Sequence, residues 1–217
     1  MKIFFDVDGV VLEGWHAKRK RLTTWDATLE QDLGVSGAAL QRALFLPPED
    51  GALPPIAACA KGADDLKDVL AELLPTLGYS GSVDAFVDYW FSKDAKINEA
   101  VLSVAERLRQ DEGVSLFLAT NQEHHRAAYL WNDFGLKDHF DDIFYSARLG
   151  VMKDDTEFFY KINAQLAIAD AERPLFFDDQ EKYVATARAA GWDAHLFDRA
   201  EDLGRNPRLR GLLGRPA

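Results

Sequence analysis

Ile3-Phe4-Phe5-Asp6-Val7-Asp8-Gly9 is the stretch on which the reading of this chain turns. Three apolar residues make a short buried strand, and two carboxylates one residue apart stand where it ends. In a parallel sheet, ligands gather beyond the carboxyl ends of the strands, so acids placed there face a crevice instead of open solvent. Taken alone, D-x-D-G also suits an ordinary turn, because Asp and Gly both favour turns. The chemical reading therefore depends on what the rest of the chain brings to the same edge.

Three later segments share the pattern. Val114-Ser115-Leu116-Phe117-Leu118-Ala119 reads as a buried strand, delivering Thr120 and Asn121 to its tip before a helical segment begins. Pro174-Leu175-Phe176-Phe177 delivers the adjacent pair Asp178-Asp179 in the same way. Between them Lys153 follows Gly150-Val151-Met152 and precedes a helical pattern of Phe158, Phe159, Ile162 and Leu166. Four carboxylates in one crevice repel each other and raise at least one pKa, unless a divalent cation and Lys153 balance their charge. Magnesium is the natural candidate, a hard ion held by one or two carboxylates with waters and phosphate oxygens completing its octahedron. Thr120, Asn121 and Lys153 add hydrogen-bond donors and a fixed positive charge, which a phosphoryl group in transfer requires.

Outward from these motifs, the chain alternates helix and strand as a doubly wound parallel sheet requires. Glu99–Glu112 is amphipathic, with Ala100, Val101, Val104, Ala105 and Leu108 on one face and Gly113 suited to its C-terminal cap. Ala127–Phe134 and Tyr183–Ala190 read as helices ending before Gly135 and Gly191. Asp142–Ser146 and Ala194–Phe197 read as further strands, the first at an edge. From about Gly14 to Asp94 strand-like runs vanish, and helical patterns replace them, as in Leu66, Val69, Leu70, Leu73 and in Phe86, Val87, Tyr89, Trp90. Leu46-Pro47-Pro48-Glu49-Asp50-Gly51, with Pro54-Pro55, breaks this insert into pieces. Hinges are expected near Gly14 and Lys93–Asn98.

Composition narrows the class of partner. The 217 residues are 47% hydrophobic, ample for a buried core. A formal charge of −11 disfavours nucleic acid and acidic membrane surfaces and leaves small metabolites as the better partners. Cys59 is the only cysteine, so no disulfide within the chain is possible, and it reads as a small buried hydrophobe. No apolar run approaches the roughly 20 residues that span a bilayer, and Lys2 leads directly into a strand with no leader pattern. A cytoplasmic enzyme is the expectation; the oligomeric state is left open.

The ordered series D-V-D-G, A-T-N, M-K-D-D and F-F-D-D resembles the haloacid dehalogenase-like hydrolase superfamily, from Met1 to about Asp198. The stretches L-A-T-N-Q and F-D-D-I-F-Y-S-A-R-L-G-V-M-K look like its small phosphatases acting on sugar phosphates and related metabolites. The resemblance implies an α/β fold, a Rossmann-like doubly wound parallel sheet core (1–14 and 95–217) with an inserted all-helical cap of the C1 type (15–94). It implies that Asp6 is the nucleophile, forming an aspartyl-phosphate, and that Asp8 is general acid and then base. Thr120 and Asn121 would bind phosphoryl oxygens, and Lys153 would orient nucleophile and phosphate. Asp178 would hold Mg2+ with the Asp6 carboxylate and the Asp8 backbone carbonyl, and Asp179 would support the ion directly or through water. Dehalogenases of the superfamily lack the acid two residues after the nucleophile, so Asp8 favours phosphate-ester hydrolysis of a small phosphorylated metabolite. A phosphomutase using the same intermediate and a non-catalytic binding protein are the alternatives. Two positions depart from the usual pattern: Asp154 stands where many members have Pro, and Tyr183 where many have Asn.

Other conspicuous residues read more plainly. Lys18-Arg19-Lys20-Arg21 is first a solvated face and second a basic rim for anionic substrates. Trp15, Trp25 and Trp90 read as packing before sugar stacking. His124-His125 sit at a helix start with no zinc-pair spacing and read as solvated polar residues; His16, near the cap entrance, has a somewhat better claim to substrate contact.

Overall fold

A computed structural model of the protein describes residues 1–13, 24–49 and 51–214. Five strands form one sheet, β1 (Lys2–Phe5), β2 (Ser115–Thr120), β3 (Asp142–Tyr145), β4 (Leu175–Asp178) and β5 (Asp193–Leu196), in the order β3-β2-β1-β4-β5. Every pairing is parallel, with Phe4 opposite Phe117 on one side and Phe176 on the other. β1, which carries the D-x-D motif, is thus central, and the strands delivering Thr120 and Asp178 flank it.

Alternation along the strands splits the core between two faces. Ile3 and Phe5 pack with Leu116, Leu118, Leu175 and Phe177 beneath α6 (Glu99–Leu108), α7 (His124–Ala128) and the C-terminal helices α11 (Glu201–Arg205) and α12 (Pro207–Leu213). Phe4 faces the other way, with Phe117, Phe144 and Phe176 against α8 (Ser146–Leu149), α9 (Thr156–Gln165) and α10 (Glu181–Ala189). Helices on both faces of a parallel sheet are the doubly wound arrangement expected from the sequence.

α6 stops short of the Glu99–Glu112 span expected from the sequence, at the last apolar residue of its buried face. It ends at Leu108, and Arg109 rather than Gly113 is its C-cap. Gly113 instead closes the following turn, its N–H donating to Asp111 Oδ1 at 2.9 Å. The side chain of Asp111 offers the backbone an acceptor outside the helix, which competes with continued helical pairing. α7 begins at His124 and continues as a wider π turn over Tyr129–Asp133 before Gly135 adopts φ +88°.

Between β1 and α6 the elements formed by the described residues are all helices: α1 (Leu29–Leu33), α2 (Gly37–Leu40) running into a π turn over Gln41–Phe45, α3 (Pro55–Ala60), α4 (Leu66–Thr76) and α5 (Val83–Lys93). They bury a separate apolar cluster that includes Leu29, Leu40, Leu66, Leu70, Phe86 and Phe91. Trp25 and Trp90 stack within it at 4.8 Å, so both are packing residues, and Cys59 is buried in the same cluster. Trp15, His16 and the Lys18–Arg21 run lie outside the described residues. Among the described residues no helix is long and apolar enough to cross a membrane.

The segments leaving and re-entering the sheet layer lie side by side. Leu12 bridges Ile97 in antiparallel fashion, Glu13 N donates to Lys96 O at 2.8 Å, and Asn98 N donates to Val11 O at 2.8 Å. Asn98 also caps α6 through its side chain and donates Nδ2–H to Val10 O, so one residue fixes both the helix start and the linker.

Candidate active site

β1 ends at Phe5, and the chain turns sharply over Asp6–Leu12. Asp6 N still donates to Phe177 O at 2.9 Å, continuing the ladder to β4. The Asp6 carboxylate accepts from Val7 N at 2.8 Å, while Gly9 takes φ +88° and Leu12 N returns to Val7 O. Glycine is required at position 9 twice over, by the left-handed backbone and because a β-carbon there would lie 2.7 Å from Asp179 Cγ.

Lys153 is the electrostatic centre. Its ammonium lies 2.7 Å from both Asp6 Oδ1 and Asp178 Oδ2, and all three side chains are almost wholly buried. Its backbone N–H donates to Asn121 Oδ1 at 2.9 Å, which ties the loop after Gly150 to the tip of β2. The Tyr183 ring lies 4.7 Å from the ammonium, so at this departure from the usual pattern an aromatic face covers the charge. Asp154, the other departure, is exposed. Asp178 Oδ1 accepts from Gln180 N at 2.8 Å, which fixes the second oxygen of that carboxylate.

The charges bear on each other. Burial pushes the Asp6 carboxyl well above its ordinary value; Lys153 pulls it down, and Asp178 and Asp8 push it up again. Burial lowers the Lys153 ammonium, but Asp178 and Asp6 together outweigh this and hold it above the usual lysine value. Burial, followed by Asp178, lifts Asp179 to about 6.

Asp6, Asp178 and Asp179 each offer a carboxylate oxygen, all within 4.8 Å of one another. Asp179 Oδ1 is buried without a hydrogen-bond partner. A buried carboxylate oxygen left unpartnered is costly unless a cation meets it. Three hard oxygen donors, one of them orphaned, with a single lysine against them, fit a divalent cation of the magnesium type. The Asp8 side chain is outside this group.

Asp8 instead faces α7. Gln122 Nε2 donates to Asp8 Oδ2, and the Arg126 guanidinium lies 3.9 Å from Asp8 Oδ1. Both side chains are buried, and sequence reasoning passed over both. Their signal was faint: two polar residues within the six that follow Thr120. Arg126 also donates to Phe91 O at 3.2 Å and Asp94 O at 2.6 Å, at the end of α5. Thr120, the last residue of β2, is buried beside Asn121. Six of the seven residues singled out from the sequence therefore lie at the C-terminal ends of β1, β2 and β4 or in the loops that follow, and Lys153 reaches them from the loop between α8 and α9.

The two histidines are more engaged than expected. His125 Nε2 lies 2.9 Å from Asp65 Oδ2, joining α7 to the N-cap of α4, and His124 Nδ1 lies 3.3 Å from the Tyr145 hydroxyl. The sequence could not pair them because both partners are distant along the chain.

Residues 3–191 match the family described as haloacid dehalogenase-like hydrolase. The fold is similar to a HAD family enzyme from Bacteroides thetaiotaomicron solved with magnesium and inorganic phosphate, with TM-score 0.67 and 18% identity over 90% of this chain and 92% of that one. It is similar to a predicted HAD-like family hydrolase from Porphyromonas gingivalis, with TM-score 0.68 and 19% identity over 99% and 98% of the two chains. L-2-haloacid dehalogenase from Xanthobacter autotrophicus, with chloropropionic acid covalently bound, also aligns, with TM-score 0.61 and 16% identity over 99% and 84%. No curated protein matches the sequence.

Proposed function

This chain belongs to the haloacid dehalogenase-like hydrolases, and on that premise we propose that it is a phosphatase hydrolysing phosphate monoesters of small metabolites, with Mg2+ as cofactor. The observation that carries this reading is the buried Asp6–Lys153–Asp178 bridge beside the orphaned Asp179 oxygen. It supports the reading because a carboxylate, a cation and further carboxylate oxygens gather around one point.

In this reading Asp6 attacks phosphorus. The Asp6 oxygen–phosphorus bond forms as the ester oxygen–phosphorus bond breaks, and the departing oxygen takes the bond's electron pair and a proton from Asp8. Asp8, now ionised, accepts a proton from water, which attacks the aspartyl-phosphate, releases inorganic phosphate and restores Asp6. Lys153 holds Asp6 in its attacking orientation and offers positive charge to the equatorial oxygens, while Thr120 and Asn121 donate to them. Asp6, Asp178, Asp179 and the Asp8 backbone carbonyl would hold Mg2+, whose contribution is to neutralise phosphoryl charge. The helical residues 24–93 would cover the leaving group and choose it, with core and cap divided near Gly14 and Asp94.

The acid at position 8 favours this over carbon–halogen hydrolysis, in which the departing halide needs no proton. The test is release of inorganic phosphate from 4-nitrophenyl phosphate with Mg2+, by the wild type and by Asp6→Asn. Hydrolysis that Asp6→Asn and chelation both abolish supports the reading. Dechlorination of 2-chloropropionate without phosphate release would replace it, as would conversion of a sugar phosphate to its isomer.

A further inference from the structure

Arg126 is buried on α7, yet none of its side-chain partners belongs to α7. Its two terminal nitrogens donate to Phe91 O at 3.2 Å and Asp94 O at 2.6 Å, where the helical segment returns to the sheet layer. The same group lies 3.4 Å from Asp94 Oδ2 and 3.9 Å from Asp8 Oδ1, and its plane approaches the Phe91 ring at 5.3 Å. Gln122 donates to the other Asp8 oxygen. Both Asp8 oxygens therefore face donors on the β2–α7 segment, and one donor is shared with the C-terminal end of α5.

We propose that Gln122 and Arg126 are positioning residues for Asp8, and that Arg126 makes the acid's placement conditional on the seating of the C-terminal end of α5, Phe91–Asp94. The inference rests on the phosphatase reading. A guanidinium suits this task because its rigid fork reaches several acceptors at once, which a lysine ammonium on a flexible stem does not. The Phe91 and Asp94 carbonyls orient the fork, and the oriented fork with Gln122 sets the two Asp8 oxygens. When the helical segment shifts, Phe91 O and Asp94 O move with the end of α5, the fork loses its anchors, and Asp8 loses its direction. Proton donation to the leaving group is thereby coupled to closure over it.

The consequence is selective. Esters with poor leaving groups need the Asp8 proton, whereas 2,4-dinitrophenolate departs without one. The experiment compares kcat/KM for phenyl phosphate and 2,4-dinitrophenyl phosphate, with Mg2+, in wild type, Arg126→Lys and Gln122→Leu. Gln122→Leu keeps the backbone bonds to Ser146 and Ala147, so it remains informative even if the Arg126 variant folds poorly. The expected result is a loss of roughly 10- to 100-fold on phenyl phosphate in both variants, within the range of general acid catalysis, and less than threefold on the dinitrophenyl ester. Equal losses on both esters, or none on either, overturn the inference while leaving the phosphatase reading intact. A wild type inactive on both esters overturns the phosphatase reading and this inference with it.

Discussion

Gly9 and Asp179 occupy adjoining space: the carboxylate of Asp179 leans into the gap that a side chain at position 9 would fill, with Cγ 2.7 Å from the place of its β-carbon. The positive φ of Gly9 adds roughly 1–2 kcal/mol of strain for any L residue. Gly9→Ala is therefore expected to displace Asp179 and raise the Mg2+ concentration for half-maximal activity at least tenfold, about 1.4 kcal/mol. Titration of phosphate release against Mg2+ checks this; an unchanged midpoint in a folded variant contradicts it.

Lys153 stands between two buried carboxylates that have no other cation among the described ion pairs. Removing one member of a buried ion pair leaves uncompensated charge, at a cost of about 3–5 kcal/mol. Lys153→Met is expected to lower Tm by several degrees without Mg2+ and to regain more of that loss on adding Mg2+ than the wild type gains. Thermal melts with and without the ion measure both, since a ligand that binds only the native state raises stability by mass action.

Asp94 gives a dependence on pH away from the carboxylate cluster. Burial lifts its carboxyl to about 6, Arg126 opposing and Asp8 assisting, against 3.8 ordinarily. A raised native pKa means that the native state holds the proton more tightly than the unfolded chain. The stabilisation is full below about 3.8 and is lost as pH rises through 6, by up to about 3 kcal/mol. Asp94→Asn should flatten this part of the stability profile, so the difference in Tm between variant and wild type should widen in the variant's favour from pH 4 to 7. A constant difference across that range speaks against it.

Gly62 brings the turn after α3 against α8. Its φ is +72°, and a β-carbon there would lie 2.5 Å from Ala147 O in α8. Backbone atoms yield little, so Gly62→Ala should push the turn after α3 off α8 and lengthen the nearby His125–Asp65 contact. A loss of about 1–3 kcal/mol is expected, with faster amide exchange over residues 61–67. Unaltered exchange would show the Gly62–Ala147 contact to be softer than its close approach implies.

What the sequence disclosed follows from which interactions are local. The strands at Ile3–Phe5, Leu116–Ala119 and Leu175–Phe177 announced themselves because both faces of a parallel sheet are covered, which makes each strand an unbroken apolar run. Asp6, Asp178 and Asp179 could be grouped as candidates because acids recur at the ends of two such runs, and Lys153 because it supplies a cation between the segments that carry them. Gln122 and Arg126 were not, because their partners are Asp8, Phe91 and Asp94, and nothing near Arg126 in the sequence marks a residue that reaches into another segment. The early stop of α6 escaped for a related reason: the polar run Arg109–Glu112 suits a helix end as well as a turn, and the Asp111 side chain closes a turn with Gly113. Tyr183 is intermediate. Its departure from the usual pattern was visible, but only the fold shows the ring against the Lys153 ammonium.

The paired linkers, with Leu12 bridged to Ile97 and Glu13 bonded to Lys96, have a consequence for how such a molecule can change over time. Because the helical stretch departs and returns through neighbouring points, its two ends stay pinned together whatever length of chain runs between them. Closing a longer or shorter excursion there alters chain entropy only slowly with its length. That stretch can therefore be lengthened or shortened on its far side, provided Phe91 and Asp94 still meet Arg126 and Asp65 still meets His125.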